Sequence, residues 1–314
     1  MAQKMEQIIP PVERELIEAE LSDERLVRET NAGSNLIYIV NHHNAPNVVK
    51  EIGRLREITF RDAGGGTGLS VDLDYYDTCE SPFEQLLVWN PQDREIIGGY
   101  RYLHCKLLSK GEDGEYHTPT FKLFHYSDQF VEEYLPSTIE LGRSFVQPAY
   151  QPMNNIRKGM YSLDNIWDGL GALVHIHPDA KYFFGKITMY PDYNREARDL
   201  ILYFMKKYFG NHNQLVYPIV PLQLDTDKNI LEQAFPNGIY EKDYRLLIQR
   251  VRSLGENIPP LVNAYMNLSS TMKFFGTAIN DEFGEVEESG IIVTIADIYE
   301  IKMERHLTIT KRQS

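Results

Sequence analysis

Three arginines stand in segments whose neighbours are apolar, and this placement constrains the fold more than any other feature of the chain. Arg56 lies in a helix-like run, whereas Arg101 and Arg143 lie in strand-like runs. A buried charge without a partner is very costly, so each of these arginines needs a carboxylate or a ligand beside it. The acidic run 72–77 supplies candidate partners. The sequence therefore predicts a polar site built into the centre of the fold.

Hydrophobic periodicity predicts helices and strands that alternate along the chain. Strands are predicted over 36–40, 86–89, 95–103, 137–146, 182–189, 215–222, 274–278 and 291–295, and helices over 13–26, 47–61, 163–173, 194–209 and 260–268. The charged segment 224–258 is predicted to be mostly helical. We expect an N-terminal helical extension over 1–34 and a single domain over 35–314, with a C-terminal extension from about residue 224. This order indicates a mixed sheet with helices on both faces.

Charge and composition narrow the function classes. Lysine plus arginine total 32 and aspartate plus glutamate 45, which gives a net charge of −13 and disfavours a nucleic-acid backbone as partner. No apolar run is long enough to span a membrane, so at most a peripheral membrane contact is expected. Residues 1–10 show no apolar signal core, and two cysteines are too few for a disulfide framework. We therefore expect a cytoplasmic protein.

Four motifs in order carry a resemblance to a known family. They are Arg56-x-x-x-Phe60, then Asp72, Asp74 and Asp77, then Gly98-Gly99-Tyr100-Arg101, and then Glu140-Leu141-Gly142-Arg143. This order resembles the acyl-homoserine lactone synthases and N-acyl amino acid synthases, and above all the ornithine and glycine lipid N-acyltransferases, often labelled hemolysin-like. Pro259-Pro260-Leu261-x-x-x-Tyr265 and Asp281-x-Phe283-Gly284 also resemble the lipid-forming branch, so the resemblance covers roughly residues 36–300.

The resemblance implies a fold and an activity. The fold would be a GNAT-type α/β (α+β) domain, whose mixed, mainly antiparallel sheet is splayed at its centre. The activity would be transfer of a long-chain acyl group, with or without a 3-hydroxyl, from acyl carrier protein or CoA to the amine of a small amino acid such as glycine or ornithine, in aminolipid biosynthesis. Phosphopantetheine or CoA would arrive with the donor, and no permanently bound cofactor is implied.

Two alternatives stay open at this point. One is an enzyme like the lactone synthases, which would need adenosylmethionine. The glycine-rich run 64–68 stands where those synthases usually have a tryptophan, and this departure disfavours adenosylmethionine. The run itself is typical of a mobile lid or a plain linker. The other alternative is a non-catalytic GNAT-like binding protein, in which the charged residues are structural ion pairs.

The resemblance and the chemistry of acyl transfer assign roles to the acceptor side of the site. Glu140 is our candidate general base, which would deprotonate the acceptor amine, and Arg143 is the second candidate catalytic residue. Arg143 and Arg101 could hold an acceptor carboxylate by paired hydrogen bonds. The remaining acceptor-site candidates, which would shape the pocket, are Arg56, Phe60, Asp74 and Asp77.

Donor binding is assigned to the end of the same strand and the loop after it. In a regular strand Glu140 and Arg143 would point to opposite faces, and a bulge would bring them closer to one side. The GNAT-type folds that the chain resembles have a bulge at this strand, so we predict one near residues 141–144. Such a bulge lies where GNAT-type sheets splay and admit the pantetheine arm. The donor-binding candidates are Ser144, Phe145, Val146, Arg157 and Lys158, the last two forming a local basic patch for an acidic carrier protein.

No metal site is predicted. The pair His175 and His177 has no further ligands at a matching spacing, and the acidic run 72–77 has too few oxygen ligands for a calcium loop.

Overall fold

A computed structural model describes residues 5–112, 114–210 and 214–307. The strands are β1 (Leu26–Glu29), β2 (Leu36–Val40), β3 (Glu84–Asn90), β4 (Glu95–His104), β5 (Phe124–Tyr126), β6 (Thr138–Val146), β7 (Tyr182–Met189), β8 (Val216–Pro218), β9 (Lys273–Asn280) and β10 (Val286–Thr294). The helices are α1 (Arg14–Glu20), α2 (Pro46–Asp62), α3 (Tyr75–Thr78), α4 (Ile156–Gly159), α5 (Ser162–Ile176), α6 (Arg195–Phe209), α7 (Lys228–Ala234), α8 (Tyr240–Ser253), α9 (Pro260–Met266) and α10 (Glu300–Lys302). Within the described ranges, one unit is drawn from Met1–Leu107, Ile139–Ala180 and Tyr299–Ser314, and a second from Leu108–Thr138 and Lys181–Ile298.

Antiparallel strands in the order β1-β2-β3-β4-β6 form the sheet of the first unit. β3 and β4 form an antiparallel hairpin, and both are buried along nearly their whole length. α2 begins with Pro46 in its first turn and buries a stripe that includes Ile52 and Phe60, as its helical spacing predicts. α5 packs on β3 and β4. The inner strands of this sheet therefore lie in the core, and polar side chains on them need partners there.

The second unit is built on β7, β10 and β9, which pair antiparallel in that order. β5 and β8 form a separate two-stranded antiparallel sheet. α6 packs on β9 and on α8, and aromatic side chains cluster around Phe204. The segment predicted to be charged and mostly helical contains α7 and α8. The expected fold class, mixed α/β with a mainly antiparallel sheet flanked by helices, is thus confirmed.

The N-terminal segment differs from the prediction. The expected helix over 13–26 ends at Glu20, and Leu26–Glu29 forms β1, which pairs with β2. Pairing of Leu26 with Tyr38 gives the chain a sheet edge to join, and the partial apolar stripe of the predicted helix is too short to outweigh it. The domain limits expected at residues 34 and 35 and near 224 stay predictions.

The strand expected over 215–222 is also shorter than predicted. β8 ends at Pro218, and Pro221 follows it. Proline has no backbone N–H to donate, so it interrupts a ladder of paired strands. Among the described residues, no helix has the length and apolar character needed to cross a bilayer.

A β-bulge interrupts β6 where it was predicted. Gly99 of β4 pairs with Phe145, and Arg101 pairs with Gly142, so Arg143 and Ser144 together oppose Tyr100. Arg143 has a φ of +51°, which lies in the left-handed region. Two residues against one is the defining geometry of a bulge, and it shifts the alternation of side chains along the strand. Glu140, before the bulge, stays in regular register opposite Leu103.

Glycines at the centre of β4 are required by close backbone approach. A Cβ at Gly98 would lie 2.2 Å from the carbonyl oxygen of Phe145, and one at Gly99 would lie 2.3 Å from that of Leu86. Backbone atoms on the neighbouring strands cannot move aside without opening the ladder. The two glycines therefore fix the register that carries Arg101 to its position.

We expect Gly98→Ala to lower the free energy of unfolding by about 3 kcal/mol, because the added methyl group overpacks the ladder. Gly142→Ala is the matched control, since a Cβ there would lie 3.8 Å from its nearest atom, Arg101 Nε. Urea unfolding followed by circular dichroism measures both variants. Equal stability of the two variants would contradict the steric role given to Gly98.

Candidate active site

Arg56 is fully buried at the centre of the first unit, and polar groups surround its guanidinium. Its Nε donates to Asp72 Oδ2 at 3.0 Å, and its Nη2 donates to Asp77 Oδ2 at 2.8 Å. Nη2 also donates to the backbone carbonyl of Asp72 at 2.5 Å, and Nη1 donates to Gln85 Oε1 at 3.3 Å. Burial alone would lower the pKa of Arg56, but the charges of Asp72 and Asp77 outweigh it and raise that pKa. Arg56 is therefore a permanent cation that shapes the site.

Asp77 is the acceptor shared by two buried arginines. Its Oδ2 accepts from Arg56 Nη2 and, at 3.0 Å, from Arg101 Nη1, while its Oδ1 accepts from Gln85 Nε2 at 2.8 Å. Burial would raise the pKa of Asp77, but Arg56 and Arg101 outweigh burial and hold the pKa well below its usual range. The carboxylate also accepts from the backbone N–H of Asp74, completing a capping box that starts α3. One side chain thus joins α2, α3, β3 and β4.

Arg101 and Arg143 complete the cluster from β4 and from the bulge in β6. Arg101 Nη1 donates to Asp74 Oδ1 at 2.7 Å, and Arg143 Nε lies 3.0 Å from Asp72 Oδ2. Regular strand alternation would have turned Arg143 away from Arg101, so the bulge is what brings both to the same aspartates. The Asp74 side chain is 33% exposed and that of Arg143 is 16% exposed, which makes them the accessible edge of the cluster.

The cluster is electrically balanced. Its charged members are Arg56, Arg101, Arg143, Asp72, Asp74 and Asp77, three of each sign. Buried ion pairs of this kind persist when each charge has several well-placed partners. The arrangement can therefore hold a precise shape, while groups at its edge face an incoming ligand.

Glu140 lies on the same face of the β4–β6 ladder as Arg101. It is 1% exposed and stands opposite Leu103, two residues along the strand from Gly142, the partner of Arg101. It also lies near Cys105: burial first, and then the charge of Glu140, raises the pKa of the Cys105 thiol. Cys105 is thus a neutral thiol, and Glu140 is an acidic side chain on the face that carries Arg101.

Four further predicted site residues differ in exposure. They are Phe60, Ser144, Phe145 and Val146. Phe60 and Phe145 are buried core side chains, whereas Ser144 and Val146 are half-buried. The carbonyl of Val146 accepts a hydrogen bond from Gln151 Nε2 at 2.8 Å, which fastens the loop after β6 to the end of the strand. The pocket and donor roles of these four residues stay predictions.

Of the two basic donor candidates, Lys158 is already engaged with other protein groups. Its Nζ lies 2.8 Å from Asp93 and 3.6 Å from Glu95, and it sits 4.9 Å from the centre of the Tyr150 ring. Hydrogen bonding to Asp93 raises the pKa of Lys158. Arg157 is exposed beside it on α4. Arg157 is therefore the more available of these two basic side chains.

The glycine-rich run 64–68, expected to be a mobile lid or a linker, is tied to α2. Glu57 is fully buried and accepts from the N–H and the hydroxyl of Thr67, at 3.0 and 2.7 Å, and from the N–H of Gly68 at 2.8 Å. Arg61 Nε donates to the same carboxylate at 2.6 Å. A plain linker would not carry such a set of bonds to a buried charge, so that interpretation is wrong for residues 67 and 68.

Two important residues had no assigned role from the sequence: Glu57 and Gln85. Asp72 belongs to the acidic run that was predicted to supply partners for the arginines, and it lies buried beside Arg56 and Arg143. Gln85 is a polar residue in an otherwise apolar strand, which is a signal of a buried partner. In the described part of the chain, no group of three or more histidine, cysteine, aspartate or glutamate side chains is arranged to hold a metal ion.

Comparison with known proteins identifies relatives. Residues 55–158 match the family described as the acetyltransferase (GNAT) domain. A glycine N(alpha)-acyltransferase of Bacteroides thetaiotaomicron is 56% identical over 303 residues, covering 96% of this chain and 90% of that protein. A glycine N(alpha)-acyltransferase of Phocaeicola vulgatus is 53% identical over 303 residues, covering 96% of this chain and 93% of that protein.

Among solved structures, a CoA-dependent acyl-homoserine lactone synthase with MTA matches with a TM-score of 0.35 and 10% identity, covering 86% of this chain and 89% of that chain.

We expect Asp77→Asn to lower the free energy of unfolding by about 3–5 kcal/mol, because the neutral amide leaves two buried arginines short of a counter-charge. Glu232→Gln is the control: it removes one partner of the exposed pair between Lys228 and Glu232 and should cost about 0.5 kcal/mol or less. Chemical denaturation at neutral pH gives both values. A loss of stability in Asp77→Asn no larger than that of the control would show that the shared bonds of Asp77 to Arg56 and Arg101 do not stabilise the fold.

A comparison of the wild type with Asp77→Asn also yields a prediction about how stability depends on pH. The folded pKa of Asp77 is lowered, so the stability it contributes is present above the unfolded pKa, about 3.9, and is lost as pH falls below it. The stability difference between the wild type and Asp77→Asn should hold steady from pH 7 to about 5 and shrink below about pH 4. Unfolding curves from pH 7 to 3 test this, and a difference that grows on acidification would contradict the assignment.

Proposed function

This chain belongs to the family of GNAT-type N-acyltransferases that includes the two glycine N(alpha)-acyltransferases above, and we propose that it transfers a long-chain acyl group from a thioester to the amine of glycine. Family membership makes it an acyltransferase and removes the non-catalytic alternative. The observation that carries the proposal is the convergence of Arg101, Arg143 and Glu140 on one face of a bulged strand, beside a rigid network of charges.

The reaction needs a base, an oriented amine and a stabilised oxyanion. The amine nitrogen attacks the thioester carbonyl, a C–N bond forms, the C–S bond breaks, and the thiol of the donor leaves. The acceptor's ammonium group first loses one proton to Glu140, directly or through a water molecule. The second proton that the nitrogen gives up goes to the thiolate as the C–S bond breaks, so the donor leaves as its thiol. A backbone N–H in the bulge at residues 143 and 144 donates to the developing oxyanion, since a bulge leaves an extra residue without a ladder partner. No covalent enzyme intermediate is required.

The acceptor side of the proposal rests on the arginine cluster. Arg56, Phe60, Asp74 and Asp77 form the frame of the acceptor pocket, and Arg101 and Arg143 lie at its edge. Asp77 holds Arg56 and Arg101 in place before substrate arrives, so little reorganisation is needed on binding. A small acceptor suits a site whose buried space is already filled by charged side chains.

The donor side is assigned to the end of β6 and to α4. Ser144, Phe145 and Val146 line the path of the pantetheine arm, where the resemblance implies a splayed sheet. Arg157, exposed on α4, meets the phosphate of acyl carrier protein, or of CoA if that is the donor. Lys158 supports the helix through Asp93 rather than the donor. The product would be an acylated amino acid that enters aminolipid biosynthesis in the cytoplasm, and the free thiols Cys79 and Cys105 agree with a reducing compartment.

We expect the purified protein to convert isotopically labelled glycine and a long-chain acyl thioester into labelled N-acylglycine, detected by mass spectrometry. Acyl carrier protein and CoA thioesters, with and without a 3-hydroxyl, are compared as donors, and ornithine is compared with glycine as acceptor. Glu140→Gln should lower turnover by about 10²–10⁴-fold, the usual contribution of a general base, with the fold intact by circular dichroism. Glu24→Gln, an exposed glutamate in the same unit, is the control and should keep full activity.

Product formed from ornithine alone would overturn glycine as the acceptor. Undiminished turnover in a folded Glu140→Gln variant would remove Glu140 as the base but leave the transfer reaction itself standing.

A further inference from the structure

Neither its backbone φ nor a close contact with another strand requires Gly142 to be glycine. Its φ lies outside the left-handed region, so an alanine could adopt the same backbone. Its two chain neighbours aside, a Cβ built on it would meet one atom of the described residues within 4 Å, Arg101 Nε at 3.8 Å, which is an ordinary contact. Gly98, on the paired strand, would instead collide with backbone at 2.2 Å. The space above Gly142 is therefore open, although the backbone at this position could also accept a larger residue.

The atom beside that space is a buried donor. Arg101 is 2% exposed, and both of its side-chain hydrogen bonds leave from Nη1, to Asp74 and Asp77. Within residues 5–112, 114–210 and 214–307, Nε has no hydrogen-bond partner, and Nη2 donates to none of these residues. Leaving a charged donor unsatisfied in the interior costs more than leaving a neutral one. A group that accepts from the Nε–Nη2 edge would remove this cost.

The guanidinium is also held flat in one orientation. Its central carbon lies 5.4 Å from the centre of the Phe83 ring and 5.9 Å from that of Tyr76, while Asp74 and Asp77 fix its Nη1 end. The Nε and Nη2 hydrogens of arginine form a parallel fork that matches the two oxygens of a carboxylate. The protein thus presents a preorganised carboxylate fork next to an open space over Gly142.

We propose that the acceptor's carboxylate binds to the Nε–Nη2 edge of Arg101 in the space that Gly142 leaves open, and that Gly142 is the residue that determines whether an amino acid acceptor fits. This inference rests on the proposed function and adds the contacts that recognise the acceptor. Arg143 is not the clamp in this arrangement, since its Nε faces Asp72. In this arrangement the missing side chain at position 142 makes room for the ligand.

The position of Glu140 agrees with this placement. Glu140 and Gly142 are two residues apart on one face of β6, before the bulge, so their Cα atoms are about 7 Å apart along the strand. A carboxylate seated over Gly142 directs the α-amine of a short amino acid along the strand toward Glu140. An acceptor without a carboxylate has nothing to hold it on Arg101 and loses this orientation.

The test combines binding and turnover in the full chain. Isothermal calorimetry measures glycine and glycinamide binding to the wild type, Gly142→Ala and Arg101→Lys, and N-acylation of both acceptors is assayed with the donor that supports turnover. We expect the wild type to prefer glycine over glycinamide by about 10- to 100-fold, because glycinamide cannot accept the charged pair of bonds. Gly142→Ala should raise the KM for glycine by about tenfold or more and change kcat little, since the methyl group occupies the carboxylate's space.

Urea unfolding and a second variant distinguish a local effect on glycine binding from a loss of the fold. Gly142→Ala is expected to unfold at the same urea concentration as the wild type, because its methyl group makes no close contact. Arg101→Lys keeps the charge next to Asp77 but lacks the fork, and it should abolish the preference for glycine over glycinamide. Glu24→Gln should match the wild type in every assay.

The inference is overturned if Gly142→Ala binds glycine as tightly as the wild type, if the wild type treats glycine and glycinamide alike, or if the wild type does not bind glycine. Glycine binding that weakens in Gly142→Ala, in a protein that forms no N-acylglycine from any donor, would support the carboxylate site and overturn the proposed function instead.

Discussion

The paired hydrogen bonds from Arg56 and Arg101 to the buried carboxylate of Asp77 are the interaction on which the site depends. Each arginine comes from a different element, and neither could be buried without a counter-charge. Once Asp77 is in place, α3 starts at a fixed point and Asp74 is presented to Arg101. The same bonds that allow burial therefore also set the shape of the proposed acceptor site.

The bulge in β6 is the second requirement. Two residues opposing Tyr100 let Arg143 join Asp72, while Glu140 and Gly142 keep the regular face that Arg101 shares. Close packing at Gly98 and Gly99 pins the register on which this depends. Charge neutralisation fixes one side of the site, and strand geometry fixes the other. Glu140, Arg101 and the open space over Gly142 lie together because both conditions hold.

Much of this organisation was predictable from residue patterns. Arginines in apolar segments indicated a buried network. The three-residue spacing of Glu140 and Arg143, together with the family resemblance, predicted the bulge that the structure confirms. What could not be predicted depends on long-range pairing. β1 forms because β2 offers an edge, and Lys158 is engaged because Asp93 folds back toward it. No sequence signal predicts the Nε–Nη2 edge of Arg101, because this edge is left over when Asp74 and Asp77 both accept from Nη1.

The most direct measurement is an experimental structure of the protein with glycine bound. We expect one glycine with its carboxylate on the Nε–Nη2 edge of Arg101, above Gly142, and its amine directed toward Glu140. Glycine held on Arg143, or bound away from β4 and β6 with the space over Gly142 filled by protein, would rule out this binding mode.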